Sequence, residues 1–287
     1  MNPIFFAFVS YFAWATGDIF GTVSARKLDA YSITFWSYVL RVIIFSLYIP
    51  FGLTQLYNLS LGLFFINILL ALFLLVGFIS FNESLRIGNA ALAGTIAASF
   101  TALVVVLSLV FLNETISFLQ IFSIVTIFIG IVLSTLDLRF LNKGKLTLDR
   151  GIIFALIAMV CWGIYFTFIK IPVRQIGWFW PNYISFMLFP LTFLFMKINK
   201  LKLKNPNFKG ALPFLIGAVV LTGIAEFSFN FGISKGLTAI VAPIAGSYPT
   251  LFVILAFFVF KDKITKQQIA GIIITLFGIV LLSFMSV

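Results

Sequence analysis

Ten stretches of about twenty apolar residues, separated by short polar breaks, fill nearly all of this 287-residue chain. They cover residues 4–24, 33–53, 61–82, 89–112, 116–136, 151–171, 178–198, 211–233, 237–260 and 266–286. About twenty apolar residues in a helix match the hydrocarbon thickness of a bilayer, and a helix satisfies its own backbone polar groups in lipid. The chain is 62% hydrophobic and 9% charged, whereas a soluble domain carries about 25% charged residues. The sequence therefore predicts an all-α integral membrane protein with ten transmembrane helices. The first stretch is not read as a cleaved signal, because it lacks a basic leader, is too long, and precedes nine more spans. The absence of His and the single Cys161 exclude His-based catalysis, intrachain disulfides and Cys-rich metal sites. No metal, cofactor, nucleotide-binding motif or ATPase partner is expected. The net charge of +11 is ascribed to basic loops at the membrane rather than to nucleic acid.

The chain also repeats itself. Shifted by 148 residues, positions 81–133 align with 229–281 without a gap, and 18 of these 53 positions are identical. The matches include Asn82/Asn230, Gly88/Gly236, Ser99/Ser247, Gln120/Gln268 and the run 130–133 on 278–281. The same register pairs Trp14 with Trp162, Phe20 with Phe168 and Arg26 with Arg174. Chance likeness between apolar segments scatters Ile and Leu matches; it does not align Trp, Asn, Gln and Gly over four helices. Two five-helix units follow, residues 1–136 and 151–287, joined by a basic loop over 137–150. Five is odd, so the second unit is expected to enter the bilayer from the opposite side. Such inverted repeats let secondary transporters hold one midplane site between two halves and expose it alternately.

Fifteen Lys and Arg fall in the odd-numbered connections and three in the even-numbered ones, with Arg41 inside a span. By the positive-inside rule the odd connections are cytoplasmic and both termini lie outside.

A charge at the bilayer centre costs about 2.5–3.5 kcal/mol even on the lenient insertion scale, so it persists where it faces a cavity or a partner. Asp18, Arg41 and Glu226 are such residues. At 1.5 Å per residue, Asp18 and Arg41 both reach a depth of about 15–18 Å, which leaves them free to touch. They would form either a neutralising ion pair or a binder of a zwitterionic substrate or a proton. Glu226 has no basic residue within one turn of its own helix, and its counterpart in the first half is Phe78. It reads either as a hydrogen-bonding group between helices or as a proton-coupling or substrate-amine site. Asn82 and Asn230 stand at matching helix ends and serve either as caps and cross-links or as binders. Trp14, Trp162, Tyr165 and Tyr248 are mid-span and either line a central polar hollow or pack, while Trp36, Trp178 and Trp180 suit the interface. Pro243 and Pro249 predict a kink in the ninth helix, where freed carbonyls line the pathway. Gly17 and Gly21 let the first helix approach a neighbour closely, and Ser123/Gly130 with Gly271/Gly278 give the fifth and tenth helices a small-residue seam.

The repeat ends, Phe111-Leu-Asn-Glu114 through Gln120 to Gly130-Ile-Val and Lys261-Asp262 through Gln268 and Gly271 to Gly278-Ile-Val, resemble the EamA domain of the drug/metabolite transporter superfamily. So do the openings, Trp14-Ala15 and Cys161-Trp162-Gly163 through Lys170. Trp-Ala replaces the usual Trp-Gly in the first half, and Lys261-Asp262 replaces Gly-Glu. The segment Asp18-Ile-Phe-Gly21-Thr22 is also similar to the first helix of small multidrug resistance proteins, where the carboxylate takes protons and cationic drugs in turn. The resemblance implies a ten-helix carrier, not an enzyme, that moves a small polar or amphipathic metabolite such as an amino acid, often outward. It also implies that the fifth and tenth helices form a scaffold away from the substrate path. The expected protein is a monomer in the plasma (inner) membrane whose partners are its substrate and the bilayer, with proton coupling left open. A multidrug extruder or a passive solute channel is the alternative.

Overall fold

The computed structural model describes residues 2–25, 27–87, 90–135, 150–207, 210–261 and 264–286, with the side chains of 85–86 and 90–93 left aside. The connecting loop up to residue 149, Arg26 and Asp262 lie outside the described residues. Among those described, all regular structure is helical. Ten helices are long and apolar enough to cross a membrane, numbered here spans 1 to 10: Pro3–Ala25, Ala30–Asn58, Leu61–Ser84, Gly94–Phe111, Phe118–Thr135, Arg150–Ile176, Trp180–Ile198, Leu212–Lys235, Thr238–Phe260 and Lys266–Phe284.

Local chemistry explains several ends. Asp29 caps span 2 by accepting the Ser32 backbone N–H at 2.9 Å, and Thr265 with Gln268 forms a capping box at span 10. Prolines stand in the first turn of spans 7 and 8, where their missing N–H costs no helical hydrogen bond. Spans 4 and 9 are followed by residues at positive φ, Asn113 (52°) and Lys261 (62°), which match at the 148-residue shift. A left-handed residue just past a helix end suits Gly best, so the family's usual Gly at that turn has a physical reason that Lys261 does without.

Span 9 is interrupted at Ser247, between Thr238–Gly246 and Tyr248–Phe260, with Pro243 inside the first segment and Pro249 in the first turn of the second. Span 4 is interrupted at the matching Ser99, between Ala90–Ala98 and Phe100–Phe111, although Thr95 and Thr101 replace the prolines. Proline is therefore not required for the break. Both serines turn their hydroxyls back onto the preceding turn, Ser99 onto the Thr95 carbonyl at 3.0 Å and Ser247 onto the Ile244 carbonyl at 2.6 Å; such back-bonding bends helices. The two breaks meet, since a Cβ on Gly246 would run into Thr101.

The helices of the two sequence halves are interlaced. Span 1 packs on span 8 and span 3 on span 6; span 1 also meets span 9 as span 6 meets span 4. Spans 5 and 10 pack on each other so closely that a Cβ on Gly130 would overlap the Thr275 backbone, and one on Gly278 would lie 2.9 Å from the Ile127 nitrogen. Gly271 likewise abuts the Ser134 backbone. Gly17 faces Thr222 of span 8, its virtual Cβ 2.7 Å from Cγ2, whereas Gly21 has only Ala218 at an ordinary 3.9 Å.

Overpacking a tight contact costs about 1–3 kcal/mol. Gly278→Val should therefore lower the thermal unfolding midpoint in detergent clearly, and Gly21→Ala should leave it unchanged. Equal effects of the two would contradict the packing described.

Candidate functional site

Four acidic or basic side chains, Arg41, Glu114, Lys170 and Glu226, are buried among the described residues, and they form two ion pairs. The first joins spans 2 and 8. Arg41 Nη1 stands 2.9 Å from Glu226 Oε1, with both side chains no more than 5% exposed. The approach lacks the alignment of a hydrogen bond, because Nη1 has no hydrogen-bonding partner. Nη2 donates to the Thr222 hydroxyl at 2.7 Å, one helical turn before Glu226, and that hydroxyl donates onward to the Ala218 carbonyl. The guanidinium also lies over the rings of Phe186 (4.8 Å) and Phe78 (5.8 Å), where the ring faces attract a cation.

This corrects one expectation: the partner of Arg41 is Glu226 rather than Asp18. Glu226, whose own helix offers no cation, is held between helices, as one of its two readings had it. Asp18, half-buried on span 1, faces the Tyr248 hydroxyl and feels the charge of Arg41 without pairing to it. Helical depth set Asp18 and Arg41 level with each other, but depth says nothing about azimuth, and span 8 comes nearer to Arg41. Phe78 and Glu226, counterparts in the two halves, both touch Arg41, one by its ring and one by its carboxylate.

Polar side chains from spans 2, 6 and 7 complete the cluster. Tyr38, one turn before Arg41, packs edge-on against the same two rings, Phe78 and Phe186, and feels both Arg41 and Glu226. Tyr165 feels the same two charges and donates its hydroxyl to Asn182 Oδ1 at 2.7 Å. Among the described residues, five buried polar atoms of this cluster have no hydrogen-bonding partner: Tyr38 Oη, Arg41 Nε and Nη1, Asn182 Nδ2 and Glu226 Oε2. Buried polar groups are nearly always satisfied, so this concentration of orphans makes the cluster the candidate site. The expected hollow is nevertheless closed, since Arg41, Tyr38, Tyr165, Asn182 and Glu226 are each under 5% exposed.

The second ion pair lies toward the ends of spans 4 and 6. Lys170 Nζ meets Glu114 Oε1 at 2.5 Å and donates to the Gly236 carbonyl at 2.8 Å. Glu114 also accepts the backbone N–H groups of Thr238 and Ala239 at 2.9 and 2.8 Å. A carboxylate there faces the positive end of span 9. One carboxylate thus fastens the ends of spans 4, 6 and 9.

The other sequence candidates divide. Trp14 packs against Phe166, Phe229 and Tyr248, and Trp162 against Phe78, Phe81 and Phe100; both are buried among aromatic rings. Asn82 donates to Thr34 and Asn230 to the Trp178 carbonyl, so both tie helices together. Trp180 is buried, its indole N–H bonded to the Gly52 carbonyl at 2.7 Å, rather than held at the interface. Tyr38, Asn182 and the Glu114–Lys170 pair escaped the sequence reading. Tyr38 shares a helix face with Arg41, a usable signal, whereas the bonds to Glu114 come from backbone groups over 120 residues away.

Ten apolar spans around an enclosed polar centre are the build of a membrane transporter. The chain belongs to the EamA-like transporter family, whose family model matches residues 1–136 and again 149–284. It is 26% identical over 139 residues to an uncharacterized protein of Methanocaldococcus jannaschii, a match that covers 47% of this chain and 98% of that one. That relative is therefore about the length of one half. Over 135 residues it is 27% identical to an Escherichia coli protein named "Probable amino-acid metabolite efflux pump", covering 45% of this chain and 42% of the relative. A solved crystal structure superposes with a TM-score of 0.80 at 12% identity, over 99% of this chain and 98% of its own, which speaks for the fold.

Removing one partner of a buried ion pair costs about 3–5 kcal/mol, whereas replacing both by apolar groups is often neutral. Arg41→Met or Glu226→Leu alone should therefore lower the unfolding midpoint strongly. The double variant should recover most of the loss, and additive losses would show that the two charges do not depend on each other.

Proposed function

We propose that this chain is a secondary transporter that moves a small polar or amphipathic metabolite, an amino acid or similar solute, outward by alternating access. The carrying observation is the cluster of buried polar side chains around Arg41 and Glu226, where helices of both halves converge and five polar atoms have no hydrogen-bonding partner among the described residues. A transported solute would supply partners for those atoms and then leave. The family match and the name of the E. coli relative support the same reading.

Several observations support two oppositely inserted five-helix units, 1–136 and 151–287. The family model matches twice, one relative has the length of a half, and the packing pairs exchange with one another under the 148-residue shift. Trp14 meets Tyr248 and Phe229 as Trp162 meets their counterparts Phe100 and Phe81. In such a device the Glu114–Lys170 pair serves as the closed latch of one mouth. The basic odd-numbered loops face the cytoplasm, the molecule works as a monomer in the plasma (inner) membrane, and Asp18 beside Tyr248 is the candidate for proton coupling.

In proteoliposomes the protein should give saturable counterflow, and Asp18→Asn and Arg41→Ala should each reduce it at least about tenfold at equal protein. Unsaturable flux would indicate a channel, and normal flux in both variants would refute the site. A reporter fused to the carboxyl end and active only in the cytoplasm should stay silent; activity would reverse the orientation.

A further inference from the structure

Solute transport makes no use of the basic connection between spans 7 and 8, yet that connection is built rather than loose. Residues 197–207 hold four lysines and no acid. Two hydrogen bonds fix the exit from span 7, Lys200 N–H to the Lys197 carbonyl at 3.2 Å and Leu201 N–H to the Met196 carbonyl at 2.8 Å. In this closing pattern Gly usually holds the left-handed position; here Lys200 holds it, at φ 55°. Three residues beyond Leu201, both backbone groups of Lys204 are tied to span 2. Its N–H donates to the Ser32 hydroxyl at 2.9 Å, and its carbonyl accepts the Trp36 indole N–H at 3.0 Å. The side chains of Lys200, Lys202 and Lys204 are exposed, while Leu203 is half-buried.

We propose that this strap is a binding site for an anionic diacyl phospholipid, its phosphate held by Lys200, Lys202 and Lys204 and its acyl chains laid along span 7. Depth is the first argument. Ser32 and Trp36 stand about 3 and 9 Å along span 2 from its first residue, Ala30. The polar layer of one leaflet is about 5–8 Å thick, and Trp favours that layer. The strap is therefore held at the level of the lipid phosphates instead of reaching out into water. A loose basic loop attracts an anionic surface diffusely; here three ammonium groups stand on a backbone fixed at both ends.

Charge and shape name the ligand. Lys27 adds a further cation just past the strap, where it donates to the Gly210 carbonyl at 3.2 Å. Asp29 opposes Lys204 at 3.8 Å, but its oxygens already accept the backbone N–H and the hydroxyl of Ser32. Four or more Lys beside a span attract anionic lipid, each worth about fivefold in binding. Leu191, Leu194 and Ile198 follow one another at helical spacing on span 7 and are 40%, 51% and 70% exposed, so an apolar strip leads up to the lysines. A free phosphate has no use for that strip, whereas acyl chains cover it. A choline headgroup would bring its own cation against the lysines.

The test is native mass spectrometry of the purified full chain in detergent, titrated with dioleoyl phosphatidylglycerol and dioleoyl phosphatidylcholine at equal concentration. The phosphatidylglycerol should bind at least about tenfold more tightly, with a preference that shrinks as salt rises. Lys200→Gln with Lys202→Gln and Lys204→Gln should abolish the preference. Arg150→Gln with Lys261→Gln and Lys266→Gln, the same charge taken from the ends of other spans, should keep it. Trp36→Phe retains every lysine but unties the Lys204 carbonyl, and should weaken phosphatidylglycerol binding about fivefold, the worth of one hydrogen bond. Millimolar glycerol phosphate should not displace the lipid. Equal binding of the two lipids by the unaltered chain, equal loss in both triple variants, unchanged binding in Trp36→Phe, or displacement by glycerol phosphate each overturns the proposal. None of these measurements reads flux, so the carrier assignment stands or falls separately.

Discussion

The tightest constraint on the buried interior is the ion pair between Arg41 and Glu226, because neither charge can be buried without the other. Neither charge could be carried in the bilayer alone, since each would stand in low dielectric with nothing to replace its water. Spans 2 and 8 must therefore come together, and Thr222 and the rings of Phe78 and Phe186 fix where they do so. The pair is enclosed yet incompletely satisfied. Five polar atoms around it have no hydrogen-bonding partner among the described residues.

Around that centre the helices divide into lining and frame. Spans 5 and 10 run backbone against backbone at Gly130, Gly271 and Gly278. Contact that close leaves no side chain to rearrange, which suits a part that stays rigid. Spans 4 and 9 are broken at Ser99 and Ser247 and cross at those breaks. A helix in two segments can tilt one segment while the other keeps its packing, and the Glu114 carboxylate fastens the start of span 9 beside these breaks.

The number and placement of the spans were legible in the sequence because hydrophobic length is a property of each segment by itself. The internal match was legible too, since Trp, Asn, Gln and Gly recur at one spacing. The intramembrane charges stood out by their cost. Their pairing did not, because depth along a helix can be counted while the direction a side chain faces depends on neighbours far away in the chain. Arg41 was thus assigned to Asp18 and found on Glu226. Glu114 and Lys170 read as loop or motif residues because their partners are backbone groups of the turn before span 9. The break in span 4 escaped for a different reason: proline announces a kink, and a serine that bonds back to its own helix does not.

The counterpart of Lys170 under the 148-residue shift is Thr22, a neutral residue whose hydroxyl is already spent on the Asp18 carbonyl at 2.7 Å. The half that holds Lys170 therefore places a cation at a position where its counterpart, Thr22, is neutral. If the halves trade conformations, the two end states are not mirror images in energy, and one facing is the resting state. A carrier built this way would be a spring-loaded door rather than a turnstile, with the latched mouth shut at rest.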